Sequence, residues 1–191
     1  MSDRKEGIRV AGVAGSLRQG SYNRALLRAA RELAPEGMEI RTFDRLGEIP
    51  LFNTDVEAEG DPEPVTALKE AIREADALLV VTPEYNYSVP GVLKNAIDWA
   101  SRPPRDSVLI EKPAAIMGAS AGAFGTARAQ MHLRQSFVFT LTLVMPSPEV
   151  LIPRAGEKFD EEGRLTDEKT RGFVRQHLEA FSAWIERVRT G

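Results

Sequence analysis

The chain has no cysteine, which removes disulfides, thiolate nucleophiles, iron–sulfur clusters and cysteine-based zinc sites together. Any redox chemistry must therefore come from a bound group. Histidine is almost as scarce. His132 and His177 fall in two expected helices far apart in sequence, so they read as packing or helix-surface residues, and neither a metal site nor a catalytic residue is assigned. No apolar run approaches membrane-spanning length. The opening stretch of residues 1–7 mixes acidic residues with its positive charges, unlike a signal peptide, and a cytoplasmic location is the expectation. A net charge of -3, with basic residues scattered among acidic ones, leaves no electrostatic footprint for nucleic acid. At 191 residues, the whole of 1–191 fits one domain with one substantial core.

What is present is an alternation of apolar strands with amphipathic helices. Strands are expected at residues 8–14, 38–43, 77–82, 114–118 and 137–145, and helices at 23–33, 64–74, 90–101, 123–135 and 168–189. Ala77-Leu78-Leu79-Val80-Val81 is apolar throughout, as a parallel strand covered on both faces should be. The last helix repeats Phe173, Val174, His177, Leu178, Phe181, Trp184, Ile185 and Val188 at helical spacing, which makes Trp184 a core residue. The acidic run at 55–63 reads as solvated loop. Five such units predict a doubly wound α/β sandwich with right-handed crossovers, and in that architecture ligands sit beyond the carboxyl ends of the strands. Three loops at that edge combine glycine with polar groups: 15–22, 83–88 and 118–122.

The first of these, Gly15-Ser16-Leu17-Arg18-Gln19-Gly20-Ser21-Tyr22-Asn23, joins the first strand to a helix. A phosphate there would meet free N–H groups and the positive end of the helix dipole, with the Ser16 and Ser21 hydroxyls, the Asn23 amide and the bidentate Arg18 guanidinium as further donors. Gly15 to Ser21 has the G-x-x-x-x-G-S spacing of a nucleoside-triphosphate loop, but Gln19 precedes Gly20 and no lysine follows. The dinucleotide fingerprint G-x-G-x-x-G is missing as well, because the glycines after Gly12 are Gly15 and Gly20. Two readings remain: a mononucleotide phosphate site, and a plain strand-to-helix turn capped by Ser21.

The second loop, Pro83-Glu84-Tyr85-Asn86-Tyr87-Ser88-Val89-Pro90, places two tyrosines just before a helix in which Ser88 is the expected N-cap and Pro90 belongs to the first turn. Leu93, Ile97 and Trp99 then read as packing.

These motifs, with Gly118-Ala119-Ser120-Ala121-Gly122 continuing to Arg128-Ala129-Gln130 and with Ile49-Pro50-Leu51-Phe52-Asn53, resemble in order the NADPH-dependent FMN reductase family, a flavodoxin-like group that includes quinone, chromate and azo reductases. The resemblance spans residues 8–145. It implies a five-stranded parallel sheet in the order 2-1-3-4-5 and FMN as cofactor, with NADPH or NADH as co-substrate. The implied reaction is ping-pong transfer to a flavin, quinone or similar small acceptor. By resemblance, Ser16, Arg18, Ser21 and Asn23 hold the FMN phosphate. Pro83, Glu84, Tyr85, Asn86 and Ser88 border the isoalloxazine ring, and Ser120 and Gly122 close its other side. No side chain is assigned as catalytic. The alternative is a flavodoxin-like electron carrier with protein partners, disfavoured by Arg18 in the loop and by the mild charge. The apolar loop at 46–52 is expected to be exposed and, together with the family resemblance, predicts a homodimer or homotetramer.

Overall fold

The computed structural model describes residues 7–190, so the reading of residues 1–6 falls outside the described chain. The elements run β1 (Ile8–Ala14), α1 (Tyr22–Glu32), β2 (Met38–Phe43), α2 (Thr54–Glu59), α3 (Glu63–Glu74), β3 (Ala77–Val81), α4 (Gly91–Ala100), β4 (Pro113–Ala119), α5 (Ala127–Phe139), β5 (Leu143–Val144), β6 (Val150–Ile152) and α6 (Glu168–Thr190). The sheet is parallel in the order β2-β1-β3-β4-β5, with β6 also paired to β4. β1 is the switch point: it pairs with β2 on one side and β3 on the other.

The period-2 pleat of β1 explains the two-sided core. Val10 and Ala14 face a layer built on Leu26 and Ala30 of α1 and on Leu178, Phe181 and Ile185 of α6. Ala11 and Val13 face the opposite layer, which holds Leu68 and Ile72 of α3, Leu93 and Trp99 of α4 and Phe137 of α5. Each such fully buried large apolar side chain contributes roughly 1.5–3 kcal/mol of transfer free energy.

Several expectations are corrected. The fifth strand is not 137–145: α5 continues to Phe139, and the strand shrinks to Leu143–Val144. Phe137 lies four residues after Leu133, and both side chains are completely buried. Helical spacing thus serves the core better than an extended run, although the segment is β-branched and aromatic enough to read as strand. The sheet edge beyond β4 is split. β5 pairs with Pro113 and Ala114, and a sixth strand, β6, pairs with Met117 to Ala119. The acidic stretch is loop only at residues 60–62, since Asn53 accepts from the Asp55 N–H and starts α2, with Asp55 and Glu57 in the first turn where the helix dipole favours them.

Ser21 is the N-cap of α1 as expected, its hydroxyl accepting from the Asn23 N–H at 3.2 Å. Ser88 is not the cap of α4. Pro90 holds that position, and no side chain caps it. Residues 46–52 turn inward: Leu46 and Ile49 are buried, Phe52 packs edge-on against Trp99 at 5.0 Å, and Leu51 remains exposed. Of the two histidines, one is a helix-surface residue and the other a packing residue. His132 lies on the exposed side of α5, and His177 is buried with its Nδ1 2.8 Å from the Pro148 carbonyl.

Candidate functional site

The loops after β1, β3 and β4 leave the same edge of the sheet, and two side-chain contacts tie them together. The Ser16 hydroxyl lies 3.3 Å from the Tyr85 phenol, joining the first loop to the second. Asn23, in the first turn of α1, donates from Nδ2 to the Ala119 carbonyl and accepts from the Ala119 N–H, each at 2.9 Å, which joins α1 to the end of β4. Asn23 is buried and so structurally engaged. One Nδ2 hydrogen is left for anything bound above it.

The first loop offers what an anion needs. The N–H groups of Leu17, Arg18, Gln19 and Gly20 donate to no atom among the described residues, although each must find an acceptor once water is displaced. Ser16 and Ser21 are buried with their hydroxyls at this edge. Arg18 is exposed, its guanidinium 5.8 Å from the Tyr22 ring centroid. Gly15 packs so closely that a Cβ would lie 2.9 Å from a Leu93 methyl, which keeps the loop against α4.

The second loop is a tight hairpin turn. Tyr85 and Ser88 exchange two main-chain hydrogen bonds of 3.0 Å, and Asn86 and Tyr87 both take positive φ, at 49° and 67°. That conformation is uncommon outside glycine and asparagine. Pro83 is buried at its base, while Tyr85, Asn86 and Tyr87 are exposed. Glu84 turns away from the edge toward α5. Its carboxylate is 2.5 Å from the Arg128 guanidinium and accepts from the N–H groups of Arg128 and Ala129. Burial alone would raise this carboxyl, but the Arg128 hydrogen bond and the two main-chain donors outweigh it and hold the group below the ordinary carboxylate range. Arg128 also stacks 3.6 Å from the Tyr87 ring centroid and 4.7 Å from that of Phe124. Released from capping, the Ser88 hydroxyl lies 2.9 Å from Nδ1 of His132. Arg128 and His132 therefore brace the turn from one face of α5. The i, i+4 spacing was visible in sequence, but what the pair would meet was not.

The third loop carries Ser120 and Gly122. The Ser120 N–H donates to the Ile152 carbonyl, its own carbonyl accepts from Ala155, and that of Gly122 accepts from Arg154. β6 thus shapes a loop that sequence reading assigned to β4 alone. Leu17, Leu51, Tyr85, Tyr87 and Phe124 are exposed large apolar side chains in loops beyond β1, β2, β3 and β4. An apolar, aromatic rim beside an anion cradle suits a planar ring carrying a phosphate. Among the described residues no cluster of metal-ligating side chains occurs and no helix is long and apolar enough to cross a membrane.

A doubly wound sheet whose first loop leaves four N–H donors free and whose third-strand loop offers exposed aromatics is the architecture of the flavodoxin-like proteins. The NADPH-dependent FMN reductase family matches residues 8–157, and the chain belongs to it. It is 56% identical over 182 residues to an NAD(P)H-dependent FMN reductase of Pseudomonas aeruginosa, covering 95% of this chain and 97% of that one. A quinone reductase of Escherichia coli K12 is 45% identical over 186 residues, covering 96% and 98%. Among solved structures, FerB, a flavoenzyme NAD(P)H:(acceptor) oxidoreductase from Paracoccus denitrificans, superposes with a TM-score of 0.86 at 40% identity, covering 94% of this chain and 98% of that one.

Proposed function

We propose that this protein binds FMN at the three-loop edge and catalyses two-electron transfer from NAD(P)H to a quinone, flavin or similar small acceptor. Overall, NAD(P)H, a proton and a quinone give NAD(P)⁺ and the hydroquinone. The observation that carries the reading is the set of four unused N–H groups at Leu17 to Gly20 beside the exposed Tyr85. When bound, FMN supplies the ring that takes up hydride and releases electrons.

The chain's own part is binding and orientation. Ser16, Arg18 and Ser21, with the free loop N–H groups, hold the phosphate, and Asn23 keeps α1 in register with β4. Pro83, Glu84, Tyr85, Asn86 and Ser88 form the wall beside the ring. Tyr85 and Asn86 present side chains toward solvent, whereas Glu84 and Ser88 fix the turn through Arg128 and His132. Ser120 and Gly122 close the far side. No side chain is required as general acid or base, and nicotinamide and acceptor use the same open face in turn.

The reading includes a cytoplasmic location, where NAD(P)H is supplied, and a homodimer or homotetramer. With the 46–52 loop packed inward, the apolar surface that supports assembly is the end of α5, where Val138, Phe139 and Leu141 are 74%, 87% and 62% exposed.

Initial rates at several fixed quinone concentrations test the mechanism. Parallel double-reciprocal lines against NADPH are expected, with excess NADPH competing against quinone. Anaerobic NADPH alone should bleach the flavin. Intersecting lines would overturn the shared face. Failure of both NADPH and NADH to bleach FMN-loaded protein would leave an electron carrier instead.

A further inference from the structure

A groove of about 270 Å³ opens beside the phosphate loop, running from Ser16 and Leu17 along α1 to the residues that follow β2. Its polar lining is unusual for a chain of net charge -3. Arg24, Arg28 and Arg31 line it from α1, and Asp44 is the one carboxylate among the lining residues. Positions 24, 28 and 31 fall on one face of the helix, and at 1.5 Å per residue they span roughly 10 Å. Among the described residues the side chains of Arg24 and Arg31 have no hydrogen-bond or ion-pair partner, and Arg28 reaches only the Gly163 carbonyl, at 3.4 Å. The groove therefore carries a local positive excess, with guanidinium groups available to a ligand.

The ligand chemistry follows from where these groups stand. The FMN phosphate has its own donors at 16–21, so this row addresses a different anion. Asp44 directly follows β2, whose neighbour β1 leads into the phosphate loop. In dinucleotide-binding α/β sheets an acid near this point accepts from a ribose hydroxyl, and an arginine close by accommodates a 2′-phosphate; this chain lacks the glycine fingerprint of those sheets and shares with them only the pairing of acid and arginine. Here both kinds of group line one groove. Arginine is suited to the phosphate because its planar fork grips two oxygens at once.

We infer that this groove binds the 2′-phosphoadenosine half of NADPH, with Arg24 and Arg31 holding the 2′-phosphate and Asp44 accepting from the 3′-hydroxyl of the same ribose. The groove then makes the enzyme prefer NADPH over NADH. This rests on NAD(P)H being the co-substrate, as proposed above, and it names the part of the chain that reads the difference.

The test uses FMN-loaded protein and two probes without nicotinamide, 2′,5′-ADP and 5′-ADP, titrated calorimetrically. The 2′,5′-ADP should bind at least 10-fold more tightly. The double variant Arg24→Ala/Arg31→Ala should lose 10- to 100-fold of that binding and raise KM for NADPH by a similar factor. KM for NADH, kcat and FMN affinity should stay unchanged, the last also reporting an intact fold. The pair Arg24→Lys/Arg31→Lys, which keeps the charge without the fork, should fall between. Equal binding of the two probes, or no binding of either, would overturn the inference, as would an equal rise in both KM values. If neither nucleotide reduces the flavin, the proposed function fails instead, a result visible in the unaltered protein before any variant is made.

Discussion

Glu84 and Arg128 form an ion pair across 44 residues of sequence, and the same Glu84 carboxylate accepts from the N–H groups of Arg128 and Ala129, the second and third residues of α5. One acid thus neutralises an arginine and satisfies helix-end donors that would otherwise need water. Since Glu84 begins the 84–88 turn, whatever that turn holds is referenced to α5 and not to β3 alone.

Removing either partner should loosen the turn. Glu84→Gln is expected to cost about 1–3 kcal/mol, the range for a hydrogen bond to a charged group together with a donor left unmet. Because its folded carboxyl lies below the ordinary range, the stability it lends is present above the unfolded pKa and is lost as pH falls through the folded one. Denaturant unfolding of the parent should therefore weaken on acidification, and the Gln variant should show a smaller part of that loss. Identical pH slopes would count against the pair.

Arg18 tests the phosphate cradle. Its guanidinium is exposed, and no hydrogen-bond or ion-pair partner holds its side chain among the described residues, so Arg18→Ala should leave the fold intact while weakening FMN binding by about 1.5–3 kcal/mol. Riboflavin, lacking the phosphate, should hardly respond. Flavin fluorescence quenching reads both, and equal losses for the two flavins would assign Arg18 another role.

His177 should set a second pH limit. Burial, opposed by its bond to the Pro148 carbonyl, lowers its pKa to about 4, and its Nε2 meets no partner among the described residues. The unfolded chain binds the proton first, so stability falls as pH drops from roughly 6.5 toward 4, by about 3 kcal/mol in all. His177→Leu should flatten urea midpoints over that interval. A parent protein equally stable at pH 7 and pH 5 would refute the buried neutral imidazole.

Assembly should depend on the end of α5. Phe139→Glu with Val138→Asp removes the exposed apolar surface without touching the core residues Leu133 and Phe137. Light scattering should shift from a dimer or tetramer toward monomer. A monomeric parent at micromolar concentration would remove the interface, and an unchanged oligomer in the variant would move it elsewhere.

Local chemistry made much of this protein legible from its sequence. The continuous apolar run of β3, the amphipathic stripe of α6, the Ser21 cap and the glycine-bounded loop between β1 and α1 each follow from preferences that act within a few residues. Composition alone ruled out thiol chemistry. Tertiary structure decided what depends on partners distant in sequence. Residues 137–139 carry strand-forming side chains, yet they are helix because Phe137 buries against the sheet with Leu133. Ser88 fits a cap by type, but the turn that pairs it with Tyr85 aims it at His132 instead. Glu84 was visible in sequence only as a polar residue of the loop after β3, while its commitment to Arg128 required the crossover that brings β3 and α5 together. The arginines of α1 show the same division: their spacing is written in the sequence, but only the folded sheet sets them beside Asp44.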